Sequence, residues 1–380
     1  MRLRTRLMNE IISGDCLEVM KTFPDNHFSG IVTDPPYGIS FMGKGWDHEV
    51  PDRYYWEEAL RICKPGSFLI AMGGSRTFHR LTCAIEDAGF EIRDCISWIY
   101  GQGFPKSHNH FGIEGYGTAL KPSWEPCIMA MKPLDGTFKQ NAEKWGQAGI
   151  NIDGCRVGEE EISAHGGGIN INRKYGMGKG IPAIEAGSNP HKGRWPANII
   201  LDEEASAMLD EQTGILKSGS NCKRSQPHVS HALHPLGMLD RDEVSYGDRG
   251  GGSRFFYCAK ASSRERNEGL EGFPDRKTHR IGAGIGEGKD PKAPAIDKNN
   301  HPTVKPLALM RYLITLIAPP KDALILDPFA GSGSTIVAAE NLGIRAIGIE
   351  KSEEYAEIAR ARIANTSQKI QKLISQLDFL

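Results

Sequence analysis

The stretch Ala323-Leu324-Ile325-Leu326-Asp327-Pro328-Phe329-Ala330-Gly331-Ser332-Gly333-Ser334-Thr335 decides the fold. Its apolar first half predicts a buried strand, and its glycine-rich second half predicts a tight turn that opens a helix. A further strand, residues 345–350, ends in Glu350. Glycine lets a backbone approach a ligand closely, and an acid after the next strand can bind two ribose hydroxyls. The unit therefore predicts one nucleoside-binding half of an α/β sheet.

Strand-like and helix-like segments also alternate through the first 135 residues. Short apolar runs predict strands at 10–15, 29–33, 66–72, 90–100 and 124–131. Two segments between these strands, 54–63 and 77–88, have helical periodicity. This alternation predicts a doubly wound α/β sheet. Pro126 predicts an edge position for the last of these strands, because proline cannot donate a hydrogen bond to a sheet.

A second informative stretch is Thr33-Asp34-Pro35-Pro36-Tyr37-Gly38, which follows the apolar run Gly30-Ile31-Val32. Open α/β sheets bind their ligands at the carboxyl ends of the strands, where this stretch lies. The two prolines stiffen the backbone and remove two N–H donors. A carboxylate, a free carbonyl and an aromatic ring at such a place are suited to holding a planar aromatic amine.

Length and composition limit the class of protein and the number of domains. The chain has 380 residues, of which 39% are hydrophobic and 24% charged, with a net charge of -1. We expect a globular protein with a sizeable core and one insertion or second domain. No apolar run has membrane-spanning length, and we find no signal-peptide pattern. The eight cysteines form no CxxC pair and are expected to be reduced core thiols of a cytoplasmic protein.

The region 136–299 has a different character, with glycine clusters and weak periodicity. One ordered island, residues 195–213, predicts a strand followed by a helix. Basic and aromatic residues interleave around the candidate DNA-binding residues Arg194, Lys223 and Arg254. This pattern favours nucleic-acid contact over a loop insertion without function. The three histidines His228, His231 and His234 lack the further ligands that would complete a metal site, so no metal is predicted.

Asp34-Pro35-Pro36-Tyr37 together with Phe329-Ala330-Gly331-Ser332-Gly333 resembles the S-adenosylmethionine-dependent DNA amino-methyltransferases, which make N6-methyladenine or N4-methylcytosine. The order, with the catalytic tetrapeptide first and the glycine motif last, is similar to that of the permuted β group. The segment 301–306 also resembles the family's segment before the cofactor motif. The resemblance covers roughly residues 9–135 and 300–365, and it matches the middle region only in position and size.

The resemblance implies a Rossmann-like, doubly wound mixed sheet with one antiparallel strand near an edge. Residues 1–135 and 300–380 would form this circularly permuted class I methyltransferase domain, with a target-recognition insertion at 136–299. It also implies a set of cofactor-binding residues: Asp15, Thr303, Lys305, Asp327, Phe329, Gly331, Gly333 and Glu350. From the residues alone, Asp15 is equally a ligand for an adenine amino group or the N-cap of the next helix.

The same resemblance implies a mechanism for residues 34–37. Asp34 would accept one N–H of an exocyclic amine and the Pro35 carbonyl the other, with Pro36 stiffening the turn. Tyr37 would stack on a base that has been flipped out of the duplex. The aspartate at the head of the tetrapeptide favours adenine N6 over cytosine N4.

The expected partner is double-stranded DNA in a prokaryotic or phage-encoded system. A homodimer and a cognate restriction endonuclease, as in restriction-modification, are further candidate partners. A rival class is a non-catalytic DNA-binding protein that retains the fold. Cys127, which follows Pro126, is expected to be a core cysteine, not a nucleophile.

Overall fold

The computed structural model describes residues 9–39, 47–101, 103, 112–162, 191–217, 249–260, 263–278 and 295–377. Within these ranges the strands are β1 (Glu10–Ser13), β2 (Phe28–Thr33), β3 (Cys63–Met72), β4 (Glu91–Ile99), β5 (Trp124–Met131), β6 (Val157–Ile162), β7 (His191–Arg194), β8 (Ile199–Asp202), β9 (Leu216–Lys217), β10 (Arg249–Gly250), β11 (Tyr257–Ala259), β12 (Arg276–Thr278), β13 (Ala295–Asp297), β14 (Leu324–Asp327) and β15 (Arg345–Glu350). The α-helices are α1 (Cys16–Met20), α2 (Arg53–Ile62), α3 (Phe78–Asp87), α4 (Phe138–Trp145), α5 (Glu203–Thr213), α6 (Leu307–Ile317), α7 (Ser334–Leu342) and α8 (Glu353–Leu377). No helix in these ranges has both the length and the apolarity to cross a membrane.

Nine strands of the described residues form one central sheet in the order β1-β15-β14-β2-β3-β5-β4-β8-β11. Every neighbouring pair is parallel except the two pairs made by β5, which runs antiparallel to both β3 and β4. The predicted doubly wound, mixed α/β sheet is therefore confirmed. The antiparallel strand, however, lies inside the sheet and not near its edge.

The edge position predicted from Pro126 was wrong for a local reason. The last pair between β3 and β5 joins Met72 to Cys127, so Pro126 lies one residue beyond that ladder. Its carbonyl accepts a hydrogen bond from the Gly73 N–H at 2.9 Å, which shows that its backbone faces the end of β3. A missing N–H at this position leaves the ladder intact, so a proline is tolerated in an inner strand.

The two halves predicted from the sequence pair directly through β14 and β2. Ile325 lies opposite Gly30 and Leu326 opposite Ile31, although almost three hundred residues separate them in the chain. Both strands are fully buried, which explains their nearly continuous apolar sequence. Because β2 and β14 are parallel neighbours, the tetrapeptide after one and the glycine turn after the other meet at the same edge of the sheet.

Alternate residues of β3 show how the sheet is covered. Phe68, Ile70 and Met72 pack into the core under α6, α7 and α8. Leu69 and Ala71 face the opposite core, which is filled by α1, α2 and α3. Successive side chains of a strand point to opposite faces, so both faces of the sheet are buried. Each fully buried leucine or isoleucine stabilises the fold by about 1.5–3 kcal/mol relative to an exposed one.

Part of the region between residues 136 and 299 extends the central sheet. Strand β8 pairs with β4 and strand β11 pairs with β8, both in parallel. The strand and helix predicted at 195–213 are confirmed as β8 and α5. The candidate residue Lys223 and the three histidines lie outside the described residues.

Candidate active site

Asp327 joins the two sequence motifs at the carboxyl edge of the sheet. Its Oδ1 atom accepts hydrogen bonds from the Thr33 hydroxyl at 2.7 Å and from the Phe329 N–H at 3.1 Å. The Thr335 hydroxyl donates to its Oδ2 atom. Asp327 is only 2% exposed. The carboxylate therefore ties the end of β2 to the glycine turn after β14.

The buried Asp327 carboxyl makes stability depend on pH. Burial raises its pKa from 3.8 to about 6, although the bonds from Thr335, Thr33 and Phe329 oppose the rise. The native state then binds this proton more tightly than the unfolded chain does. Its contribution to the free energy of unfolding therefore falls as the pH rises from about 4 to about 6. Asp327→Asn, which keeps the shape, is expected to remove about 3 kcal/mol of this pH dependence.

Urea unfolding of both proteins across that pH range measures the effect. The wild-type protein should lose stability relative to Asp327→Asn as the pH rises. A constant difference between the two proteins would contradict the raised pKa of Asp327.

The glycine turn uses backbone conformations that other residues adopt with strain. Gly331 has φ +53° and Gly333 has φ +79°. A Cβ atom on Gly331 would lie 2.7 Å from His301 Nε2, and one on Gly333 would lie 2.8 Å from the Ala359 Cβ atom. The turn therefore needs glycine at both positions, because His301 and Ala359 pack against it.

Glu350 closes the turn from the neighbouring strand. Its Oε2 atom accepts the Gly331 N–H and its Oε1 atom accepts the Ser352 N–H, both at 2.8 Å. Burial raises the pKa of Glu350, while these backbone bonds act in the opposite direction. Each carboxylate oxygen has a second acceptor position. The residue is thus placed and oriented to bind a further pair of donors.

Arg362 supports the same turn from below and was missed by the sequence reasoning. Its Nη1 atom donates to the Ser332 carbonyl at 2.5 Å and lies within 3.5 Å of the Ser334 hydroxyl. Its Nη2 atom donates to the Glu265 carbonyl. Burial lowers its pKa to about 10. A guanidinium in the middle of a long helix such as α8 carries no motif that would have revealed this role.

Asp15 is the N-cap of α1, one of the two roles considered for it. Its Oδ1 atom accepts the Leu17 N–H at 3.1 Å, and its Oδ2 atom pairs with Lys351 Nζ at 3.1 Å. Partial burial acts to raise the pKa of Asp15, but the Lys351 ammonium and the helix N–H groups outweigh it, so the pKa is lowered. Because the Gly14 N–H bonds the Glu350 carbonyl, Asp15 also lies at the edge that holds Glu350.

Asp34 belongs to a compact cluster with Tyr37, Lys305 and Glu125. Its Oδ1 atom accepts the Tyr37 hydroxyl at 2.7 Å and lies 3.2 Å from Lys305 Nζ. The same ammonium lies 2.7 Å from Glu125 Oε2 and donates to the Tyr37 oxygen at 3.0 Å. Two carboxylates, one phenol and one ammonium therefore share one small volume. Thr303 precedes Lys305 by two residues, and its N–H is directed to His301 Nδ1 at 3.4 Å.

Burial controls the electrostatics of this cluster. Burial raises the pKa of Asp34. The Lys305 ammonium lowers this pKa, and the Glu125 carboxylate raises it further. Burial also raises the pKa of Tyr37, which the two carboxylates raise further. For Lys305, burial alone would favour the neutral amine, but Asp34 and Glu125 outweigh it and raise its pKa. At neutral pH Lys305 is therefore a charged ammonium.

The backbone of residues 35–38 is fixed by two side chains outside the motif. Asp47 accepts the N–H groups of Tyr37 and Gly38 at 2.6 and 3.0 Å. The Thr77 hydroxyl donates to the Tyr37 carbonyl at 2.6 Å. Gly38 has φ +66°, and a Cβ atom there would meet the Val50 nitrogen at 2.9 Å. The turn is therefore held in one conformation before any ligand arrives.

A family model described as DNA methylase (N6_N4_Mtase) matches residues 28–151 and 250–361, which together make up more than half of the chain. The chain belongs to this family. The predicted membership of the DNA amino-methyltransferases of adenine-N6 or cytosine-N4 type is thereby confirmed. Both matched ranges include parts of the site, since Asp34 and Glu125 lie in the first and Lys305 and Glu350 in the second.

Two curated relatives show local similarity to this methylase. The putative methylase YubD of Escherichia coli (strain K12) is 45% identical over 73 residues, which cover 19% of this chain and 32% of that protein. The type II methyltransferase M2.MboI of Moraxella bovis is 41% identical over 88 residues, covering 21% of this chain and 32% of that protein. The chain thus aligns with about a third of the length of either relative.

Solved structures of similar proteins include the M1.HpyAVI complex with SAM, at 16% identity and a TM-score of 0.40, covering 94% of this chain and 100% of that one. The PvuII DNA methyltransferase, described as cytosine-N4-specific, has 14% identity and a TM-score of 0.46, covering 95% of this chain and 92% of that one.

Besides Arg362, two further residues of the candidate site, Glu125 and Asp47, were missed by the sequence reasoning. Glu125 is a charged residue at the start of an otherwise apolar strand, a signal that could have been used. Asp47 follows a segment without periodicity and carried no signal. Cys127, two residues after Glu125 along β5, is fully buried, as expected of a core thiol. Cys83 is exposed, so the expectation of core thiols was wrong for that residue.

The candidate DNA-binding residues Arg194 and Arg254 form an aromatic-basic cluster with Phe255. Their guanidinium carbons lie 5.1 and 4.2 Å from the centroid of the Phe255 ring. Arg194 also pairs with Glu160 at 3.2 Å, and its side chain is 15% exposed. Phe255 itself is 40% exposed. The structure thus places two of the three predicted residues together.

Proposed function

We propose that this chain transfers a methyl group from S-adenosylmethionine to the exocyclic amino group of a base in double-stranded DNA, with adenine N6 favoured. One observation carries the proposal. Asp34 and the Gly331–Gly333 turn follow adjacent parallel strands, and the bond from Thr33 to Asp327 holds the two motifs together. A base presented to Asp34 would therefore lie beside a nucleoside bound at the turn.

The turn and its neighbours fit the adenosine and methionine parts of S-adenosylmethionine, the cofactor of this family. The glycines carry no side chain that would separate the turn from a ligand, and Glu350 retains acceptor positions for two ribose hydroxyls. Phe329 and Asp15 would complete the adenosine site, with Thr303 toward the methionine end. When bound, the cofactor supplies a methyl group on a sulfonium, which is transferred to nitrogen as the sulfur leaves as a thioether.

Two acceptors of the tetrapeptide receive no donor from the described residues. The bonds from Tyr37 and Lys305 both reach Asp34 Oδ1. Within the described part of the chain, no hydrogen bond reaches Asp34 Oδ2 or the Pro35 carbonyl. We assign one N–H of the amine to each of these oxygens. Together they would draw the amine nitrogen out of conjugation, stabilise its developing positive charge and accept its proton.

Tyr37 would stack on the target base, which must leave the duplex to reach Asp34. Its hydroxyl bonds Asp34 and its backbone bonds Asp47 and Thr77, so the ring is fixed in place. Stacking of a base on such a ring contributes roughly 1–3 kcal/mol. A rigid ring loses little entropy when the base arrives.

The proposal is tested by incubating the protein with labelled S-adenosylmethionine and double-stranded DNA, followed by mass spectrometry of the digested nucleosides. N6-methyladenine is the expected product. N4-methylcytosine as the product would support the proposed site but overturn the choice of adenine as the target base. Bound cofactor and bound DNA without any methylated base would favour a non-catalytic DNA-binding protein.

The aromatic-basic cluster supports a second part of the proposal, that residues 136–299 recognise DNA. Arg254→Gln is expected to weaken DNA binding more than cofactor binding and to reduce the slope of log affinity against log salt by about one. Arg345→Gln is a matched control, since Arg345 lies at the start of β15, on the opposite edge of the sheet from Glu350. Equal loss of DNA affinity in both variants would place the DNA elsewhere.

The bacterial sources of the relatives support a prokaryotic or phage-encoded enzyme in the cytoplasm. Some of these relatives are type II methyltransferases, which supports a role in restriction-modification. A cognate endonuclease and a homodimer remain candidate partners. Co-purification with the neighbouring gene product and the molar mass in solution would test these two proposals.

A further inference from the structure

Glu125 makes the shorter of the two ion pairs of Lys305. Its Oε2 atom lies 2.7 Å from Lys305 Nζ, whereas Asp34 Oδ1 lies 3.2 Å from the same nitrogen. Glu125 Oε2 also lies 3.1 Å from the Tyr37 hydroxyl oxygen, whose single proton has the closer acceptor Asp34 at 2.7 Å. The ammonium is therefore shared between two carboxylates and is not bound to Asp34 alone.

The surroundings of Lys305 explain why it needs both carboxylates. Its nitrogen lies 5.3 Å from the centroid of the Tyr37 ring and 5.9 Å from that of the Trp98 ring. The side chain is 8% exposed, so little water solvates the charge. A buried ammonium requires nearby negative charge. One carboxylate would neutralise it, and the second gives the cluster an excess negative charge.

This excess charge matters for the proposed reaction. The amine nitrogen of the substrate becomes positive as the new bond forms, and Asp34 is the carboxylate nearest to it. A Lys305 ammonium paired with Asp34 alone would cancel much of that stabilisation. Because Glu125 binds the ammonium more closely, the Lys305 charge is offset by Glu125, and the field of the ionised Asp34 carboxylate at the substrate amine is not cancelled.

We propose that Glu125 is a positioning residue of the methyl-transfer site, which holds Lys305 so that its ammonium does not cancel the field of the Asp34 carboxylate at the substrate amine. The inference rests on the proposed function, and Glu125 acts through Lys305 without touching the base. The antiparallel direction of β5 makes this possible. It brings the first residues of β5 to the edge where the parallel strands β2 and β14 end.

Charged and titratable groups act on Asp34 from four elements: Tyr37 in the loop after β2, Glu125 on β5, Lys305 before α6, and Asp327 on β14. The Lys305 ammonium lowers the pKa of Asp34, and the Glu125 carboxylate raises it. Removing the Glu125 charge should therefore lower the pKa of Asp34, and removing the Lys305 charge should raise it.

The test is a carbon-13 NMR titration of the Asp34 carboxyl group in the full chain, with the signal assigned by its absence in Asp34→Asn. Glu125→Gln is expected to move the midpoint to lower pH, and Lys305→Met to higher pH. In methyl-transfer assays Glu125→Gln should lower kcat roughly tenfold, the effect of weakening one charge-assisted hydrogen bond. Its KM for S-adenosylmethionine should stay within about twofold of the wild-type value. In the pH profile of kcat, the acid limb should shift by the same amount as the NMR midpoint of Asp34.

Two further variants separate this role from a merely structural one. Glu125→Asp keeps the charge and should restore the wild-type acid limb. Glu91→Gln, at the exposed start of the neighbouring strand β4, should change neither readout. An unchanged Asp34 midpoint in Glu125→Gln would overturn the inference whether or not the protein methylates DNA. The two opposite shifts without methyl transfer by the wild-type protein would confirm the coupling of Glu125 to Asp34 through Lys305, but would overturn the proposed function and with it a role of Glu125 in methyl transfer.

Discussion

Replacing Asp34 with asparagine is expected to slow methyl transfer by about a hundredfold to a thousandfold. Asparagine keeps an oxygen for Tyr37 and Lys305 but loses the charge to which we assign stabilisation of the amine in the transition state. Single-turnover methylation of DNA under saturating S-adenosylmethionine measures the effect directly. Cofactor affinity should remain near the wild-type value, because Glu350 and the glycine turn are untouched.

Asp52→Asn is the matched control for this experiment. Asp52 is an exposed N-cap of α2 whose carboxylate accepts the Arg53 N–H, and asparagine caps helices equally well. This variant should methylate DNA at the wild-type rate. If Asp34→Asn did the same, the chemistry assigned to Asp34 would have to move to another group.

Replacing Glu350 with glutamine is expected to weaken S-adenosylmethionine binding by about tenfold to a hundredfold, the range for a lost charged hydrogen bond. Both carboxylate oxygens already accept backbone N–H groups. In the proposed site both would also bind the ribose. A glutamine offers one oxygen and one NH₂ group, so one backbone N–H then faces a donor. Calorimetric titration with the cofactor measures the loss.

Glu353→Gln serves as the control for the Glu350 experiment, since Glu353 is an exposed residue at the start of α8 that pairs with Arg360. Thermal unfolding without cofactor distinguishes the two ways in which Glu350→Gln could act. A large fall in Tm with unchanged affinity would show that Glu350 holds the turn but does not bind the ribose.

The sequence predicted the relative placement of the main motifs because each motif follows a strand. Strands β2 and β14 are continuous apolar runs, and carboxyl ends of parallel strands meet at one edge. That reasoning correctly placed Asp34 and Gly331 after neighbouring parallel strands. It also predicted the alternation of strands and helices and the strand β8 with its helix α5.

The contacts that tune the site could not be predicted in this way. Glu125 reaches Lys305 only because β5 is antiparallel and inside the sheet, and the interpretation of Pro126 had placed that strand at an edge. Asp47 acts through backbone N–H groups, which leave no trace in a pattern of side chains. Strands β8 and β11 are too short for their pairing partners to be read from periodicity.

The pairing of β2 with β14 has a consequence for synthesis of the chain. Strand β2 is complete almost three hundred residues before β14 exists, and ribosomes add about 5–20 residues per second, so the interval is roughly 15–60 s. During that time β3 covers one edge of β2, while the other edge is an unpaired apolar strand. Such an edge invites pairing with other nascent chains. We therefore expect expression at low temperature or with abundant chaperones to raise the yield of folded protein. Slower removal of denaturant during refolding should raise the yield less, because the complete chain, including β14, is then already present.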